Sequence, residues 1–262
     1  MPKFAANLSM MFQDLPFLDR FSAAASAGFR GVEFLFPYDH PAEEVAKAAR
    51  DAGVEVALFN LPPGDWTKGE RGFAAMPGRQ NDFDEALNKA MFYAEALGCN
   101  RLHCMAGLVT ENMDLAEARA TYISNLTKAG DKLASSGRMA LIEPINTRDV
   151  PGYFINYQQD AHDILSNVKR TNVKVQMDFY HVQIMEGDLS MRAQQYIGPN
   201  VGHIQIAGVP ERHEPDIGEI NYPYVFALLD KLGYDGWIGC EYRPEGDTLD
   251  GIRRWGAAYG LG

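Results

Sequence analysis

The chain has 262 residues, of which 46% are hydrophobic and 23% charged, and its formal net charge is −11. A chain of that length and composition reads as an ordinary globular protein able to bury its own core. The acidic balance argues against nucleic acid or an anionic membrane as partner, because neutralising phosphates takes a basic face.

The three cysteines, Cys99, Cys104 and Cys240, form no C-x-x-C pair. An odd, scattered count suits a reducing compartment better than a disulfide framework. The opening "MPKFAANLSMMF" has no signal-peptide layout, and no segment is long and apolar enough to span a membrane. A cytoplasmic location is therefore expected. No low-complexity linker divides the chain, so residues 1–262 are expected to form one domain.

In chain order the sequence predicts strands at Phe4–Met10, Gly31–Phe36, Glu55–Leu61, Arg101–Ala106, Met139–Ile145, Val173–Tyr180, Val201–Ala207 and Gly236–Tyr242. Helical spacing fills the gaps, as in "PAEEVAKAARDAG", "NDFDEALNKAMFYAEALG" and "YPYVFALLDKLG". Gly28, Gly53, Gly98, Gly137 and Gly233 stand where those helices should stop. Strands alternating with helices imply parallel pairing. Eight units in 262 residues match the (β/α)8 TIM barrel, which takes about 250. A doubly wound open sheet would carry a Gly-rich phosphate turn after its first strand, and "NLSMMF" has none.

A TIM barrel places its chemistry at the C-terminal ends of its strands. The fifth to eighth strands end in polar groups: Glu143 in "MALIEPIN", Asp178 and His181 in "VKVQMDFYH", His203 and Gln205 in "VGHIQIAG", and Glu241 in "GWIGCEYRP". A lone carboxylate there is more often half of an ion pair. Four such groups on adjacent strands converge on one spot. A buried, unpaired carboxylate is costly, so a cation or a reacting proton is the natural compensation. Glu143, Asp178, Gln205 and Glu241 offer only oxygen, which favours Mg²⁺ or Mn²⁺ over Zn²⁺. Glu143 and Glu241 are expected to face each other as acid and base. His203, two residues below Gln205, is read as structural. If Asp178 points inward, so do Gln176 and Lys174, which implies a bulge or a polar lower layer. The loops "NLPPGDWTKGERG" and "GVPERHEPDIGEINY" carry Arg71 and Arg212, either able to hold a substrate carboxylate in a fork. Trp66 and Pro62 suggest an ordered lid.

Across nearly its whole length the chain resembles the hydroxypyruvate isomerase family, of the xylose-isomerase-like TIM barrels. The resemblance rests on "FAANLSMMF", "GFRGVEFLFPYD", "NLPPGDW", "GERG", "LIEPIN", "MDFYH", "GHIQIA", "GEINY" and "GWIGCEY" together. It implies interconversion of hydroxypyruvate and 2-hydroxy-3-oxopropanoate, a step of glyoxylate metabolism. It implies acid/base roles for Glu143 and Glu241, and a divalent metal on Glu143, Asp178, Gln205 and Glu241. Gln205 stands where many sugar epimerases of the superfamily have His. His181 and Arg212 match substrate-contacting positions.

The nearest rival is the same chemistry on a four-carbon acid, 2-oxo-tetronate. A ketose 3-epimerase or inosose dehydratase ranks lower. An apurinic-site endonuclease, on a related barrel, would want more than the six histidines present and a basic groove. A ligand-sensing barrel would not need both glutamates. The partner is expected to be a small anionic hydroxy-carbonyl compound, and a homo-oligomer is possible.

Overall fold

A computed structural model describes residues 2–262. Eight parallel strands close into one barrel in sequence order. They are β1 (Lys3–Asn7), β2 (Gly31–Phe34), β3 (Glu55–Asn60), β4 (Arg101–His103), β5 (Met139–Ile142), β6 (Val173–Asp178), β7 (Val201–Ile206) and β8 (Trp237–Cys240). Closure is made by β1 on β8, with Lys3 opposite Trp237 and Ala6 opposite Cys240. The helices are α1 (Arg20–Ser26), α2 (Ala42–Ala52), α3 (Gln80–Leu97), α4 (Leu115–Ala134), α5 (Gln158–Val168), α6 (Phe179–Met185), α7 (Leu189–Tyr196), α8 (Tyr222–Lys231) and α9 (Thr248–Gly256).

The helix signals in the sequence act as expected. In α2, Val45, Ala46 and Ala49 are buried on one face. Glu43 and Glu44 occupy its first turn and Arg50 its last, which suits the helix dipole. Gly53 closes it at φ 69°, and the other four glycines expected at helix ends also have positive φ.

The main apolar core lies between barrel and helices. Phe4 on β1 meets Phe226 of α8 and Trp255 of α9 edge-on, both at 5.1 Å between ring centroids. Burying one such ring contributes about 1.5–3 kcal/mol. Strand alternation then sends the opposite residues into the barrel. On β7, Ile204 and Ile206 join the core, while His203 and Gln205 meet Glu33 of β2 across the interior.

The strands end sooner than the hydrophobic pattern predicts. β4 stops at His103 rather than Ala106, and β6 stops at Asp178 rather than Tyr180. Asp178 is the cause in β6: its Oδ1 accepts from the N–H of Tyr180 at 2.8 Å and starts α6. The polar alternation in β6 also has a physical basis. The β6–β7 register shifts between Val175 and Gln176, a bulge that leaves Lys174 half-buried while Gln176 and Asp178 are buried.

Candidate active site

Every strand delivers a buried polar side chain within a residue or so of its C-terminal end. In order they are Asn7, Glu33, Asn60, His103, Glu143, Asp178, Gln205 and Glu241. The pleat and the register place them on one level: Asn7 lies opposite Glu33, Asn60 opposite His103, and Asp178 opposite Gln205. Above them opens a cavity of about 570 Å³, lined among others by Glu143, His181, Glu241 and four arginines, Arg71, Arg148, Arg212 and Arg243.

The sequence expectation for Glu143, Asp178 and Glu241 meets a compact geometry. One ligand atom from each of these, and one from His181, lie within 4.8 Å of one another. Burial raises the proton affinity of all three carboxyls. Glu143 is pushed well above the carboxylate range by burial and by the charges of Glu241 and Asp178. Burial lifts Glu241 to about 8 and Asp178 to about 6, with Arg212 pulling both down. Arg212 is inserted among them: Nη2 donates to Glu241 Oε2 at 2.5 Å and lies 3.4 Å from Asp178 Oδ2. Its backbone has a φ of 59°, uncommon for a residue with a side chain. A single guanidinium does not balance three carboxylates, and Glu143 Oε1 is buried with no hydrogen-bond partner. These groups fit a divalent cation.

His181 belongs to the cluster in space, but its tautomer is fixed from behind. The backbone N–H of Asn146 donates to His181 Nδ1 at 3.3 Å, and the Asn146 amide nitrogen lies 2.7 Å from it. A backbone N–H can only donate, so Nδ1 is the acceptor and the proton sits on Nε2. Nε2 faces Asp178 at 3.5 Å and Glu143 at 3.7 Å. An imidazole held this way is a hydrogen-bond donor to the site. The metal donors are thereby limited to oxygen.

Gln205 lies beside Asp178 but is engaged elsewhere. Its Nε2 donates to Glu33 Oε1 at 2.8 Å, and its Oε1 accepts from Gln176 Nε2 at 2.5 Å. Glu33 also meets His203 Nε2 at 2.6 Å and accepts from Asn7 Nδ2 at 3.0 Å. His203 is thus half of a buried pair. Arg71 sits at the rim, its guanidinium 3.6 Å from the Trp66 ring centroid and its Nη1 donating to the carbonyls of Trp66 and Glu70. Arg71 and Trp66 both line the cavity.

Sequence reasoning missed Asn7, Glu33, Asn60, His103, Asn146 and Arg148. The criterion that found Glu143, a carboxylate among apolar neighbours, would have found Glu33 in "GVEFLF". His103 in "RLHCMAG" carries the same signal.

The family described as xylose isomerase-like TIM barrel matches residues 21–258. The chain belongs to that family. Within it, the chain is 56% identical over 252 residues to the 2-oxo-tetronate isomerase of Cupriavidus necator, covering 96% of each chain. It is 43% identical to the hydroxypyruvate isomerase of Escherichia coli, covering 97% of this chain and 98% of that one. A crystal structure of an AP endonuclease, family 2, from Brucella melitensis superposes with a TM-score of 0.97 at 51% identity, covering 99% of this chain and 100% of that one. Family membership at these identities makes the chain an enzyme with isomerases as its relatives. Among the described residues no helix is long and apolar enough to cross a membrane.

Proposed function

We propose that this enzyme shifts a carbonyl group between C2 and C3 of a short hydroxy-oxo acid. The observation that carries this reading is the pair Glu143 and Glu241, buried within 4.8 Å at the floor of an arginine-lined cavity. Their raised proton affinities suit groups that take and return a proton.

One glutamate removes the proton on C3 and leaves an enediolate. The other delivers a proton to C2. Arg212 holds Glu241 in place and offsets its charge. His181 presents its Nε2–H to the substrate oxygens, and Arg71 and Arg148 hold the substrate carboxylate at the cavity rim. Glu143, Asp178 and Glu241 would hold a divalent cation, Mg²⁺ or Mn²⁺, and Gln205 would join them as a fourth oxygen donor through the lone pair of Oε1 that its bond from Gln176 leaves over. Bound there, the cation supplies positive charge to the substrate's carbonyl oxygen.

We place 2-oxo-tetronate first as substrate, because the relative at 56% identity carries that name and the cavity has room for four carbons. Hydroxypyruvate, the acid to which the sequence motifs pointed, is the second reading, supported by the relative at 43%. The net charge of −11 weighs against a nucleic-acid substrate. The test is turnover of both acids by the purified enzyme, before and after chelation and Mg²⁺ or Mn²⁺ add-back. Isomerisation of either acid supports the reaction, and the ratio of kcat/KM assigns the substrate. No turnover of either would overturn the proposal. Full activity after exhaustive chelation would remove the cation from it.

A further inference from the structure

The carbonyl shift moves two protons, and the glutamates account for one. For either acid, the C3–H bond breaks and a C2–H bond forms. The hydroxyl proton on O3 must also leave, and O2 must gain one. Glu143 and Glu241 are both occupied with the carbon protons.

The pocket wall on the β4 side is His103. It lines the cavity, is 1% exposed, and neither ring nitrogen has a hydrogen-bond partner. Its Nδ1 is 3.6 Å from Glu143 Oε2, too far for a hydrogen bond. An imidazole buried with both nitrogens idle gives up stability that a bound polar group would restore. Three neighbouring pocket groups are less free. His181 Nδ1 is capped by Asn146. The Tyr153 hydroxyl accepts from the Ala106 N–H at 2.9 Å. Gln176 is an amide and relays no proton.

Resting on the isomerase reading above, we propose that His103 is a further catalytic residue, one that contacts the two migrating oxygens and carries the hydroxyl proton from O3 to O2. The balance closes. Removal of the C3 proton gives an enediolate with O2 charged and O3 protonated. The bare ring nitrogen of His103 takes the proton from O3 and hands it to O2. The imidazole ends neutral, as it began. The charge now on O3 collapses to the carbonyl as C2 takes its proton.

The reaction can be cut between the two proton movements. In D₂O, carbon-proton removal and return labels C3 of the unreacted substrate, read by NMR against an enzyme-free control, without completing isomerisation. The variant is His103→Gln, which keeps a donor and an acceptor but passes no proton. His103→Asn is the second variant, and both are checked for the wild-type circular dichroism spectrum and Tm. The expected result is a loss of net isomerisation of about 10²-fold or more, with C3 labelling reduced far less. Net isomerisation within about threefold of wild type would overturn the assignment. Labelling and isomerisation falling by one common factor would overturn it too, because His103 would then serve the carbon step or the architecture. If the wild-type enzyme neither labels nor isomerises either acid, the isomerase reading itself has failed. That outcome is separate, because it is seen before any variant is made.

Discussion

Arg212 donates through Nη2 to Glu241 at 2.5 Å, and the same nitrogen lies 3.4 Å from Asp178. One cation thus bridges two of the three buried carboxylates. Arg212→Ala is expected to lower kcat/KM by about 10²–10³-fold, as for loss of one preorganised donor in a dry site. Arg212→Lys should fall between the two, because lysine keeps the charge and loses the fork. Steady-state kinetics at saturating Mn²⁺ decides it. An alanine variant with wild-type kinetics would show that Glu241 needs no such partner.

Glu143→Gln and Glu241→Gln remove one of the proposed proton-transfer groups each and keep the shape. Each should reduce turnover by about 10²–10⁴-fold with an unchanged circular dichroism spectrum. In metal-free protein Glu143→Gln should cost little stability, because Glu143 Oε1 has no hydrogen-bond partner, whereas Glu241→Gln breaks the buried pair with Arg212 and should lower Tm. Substantial activity in one purified variant would strip that glutamate of its role.

Gly239 lies on β8 directly against Glu33. A Cβ at that position would sit 2.2 Å from Glu33 Oε2 and 2.4 Å from its Cδ. Gly239→Ala should cost about 1–3 kcal/mol of stability through overpacking and push Glu33 off Asn7 and Gln205. Gly198→Ala is the control, since nothing lies within 4 Å of its added Cβ. Thermal unfolding of both variants tests this. Equal Tm values would mean the interior yields more than the packing implies.

His162 gives a pH dependence remote from the active site. It is stacked on Tyr196 at 4.4 Å between centroids, and burial pushes its pKa down to about 4. In the unfolded chain the group titrates near about 6.5. Between those values the unfolded state binds more protons, so stability falls as pH falls through that window. Above it the imidazole is neutral in both states and adds no slope. His162→Gln should therefore lose less Tm than wild type on going from neutral pH to the lower end of the window. Parallel Tm–pH curves would refute the assignment.

The barrel was legible because each unit repeats the same signals: an apolar strand, a helical stripe and a terminal glycine such as Gly53. Glu143, Asp178 and Glu241 were legible because a carboxylate has no cheap place among isoleucine, proline and cysteine. The rest depends on pairings between distant strands. Whether Gln205 offers its oxygen to the site is decided by Glu33 and Gln176, far away in sequence. His181 could be read as ligand or donor until the backbone of Asn146 fixed its tautomer. Arg212 was legible as a cation at the candidate site, and it does line the cavity. That it would lie among the carboxylates, on a left-handed backbone, is given by no spacing rule.

The β1–β8 seam has a consequence for the life of the chain on the ribosome. Asn7 Nδ2 donates to Glu241 Oε1 at 3.3 Å across 234 residues. Glu241 emerges 234 residues after Asn7. Until then the acidic floor has an open side, and Glu33 and Asn7 face water. Long-range pairing of this kind is slow to form, because loop closure must precede the contacts that reward it. A nascent chain halted before Trp237 can hold most of its helices while the proposed Glu143–Glu241 pair is still incomplete, so under the proposed reaction competence arrives in one step with β8.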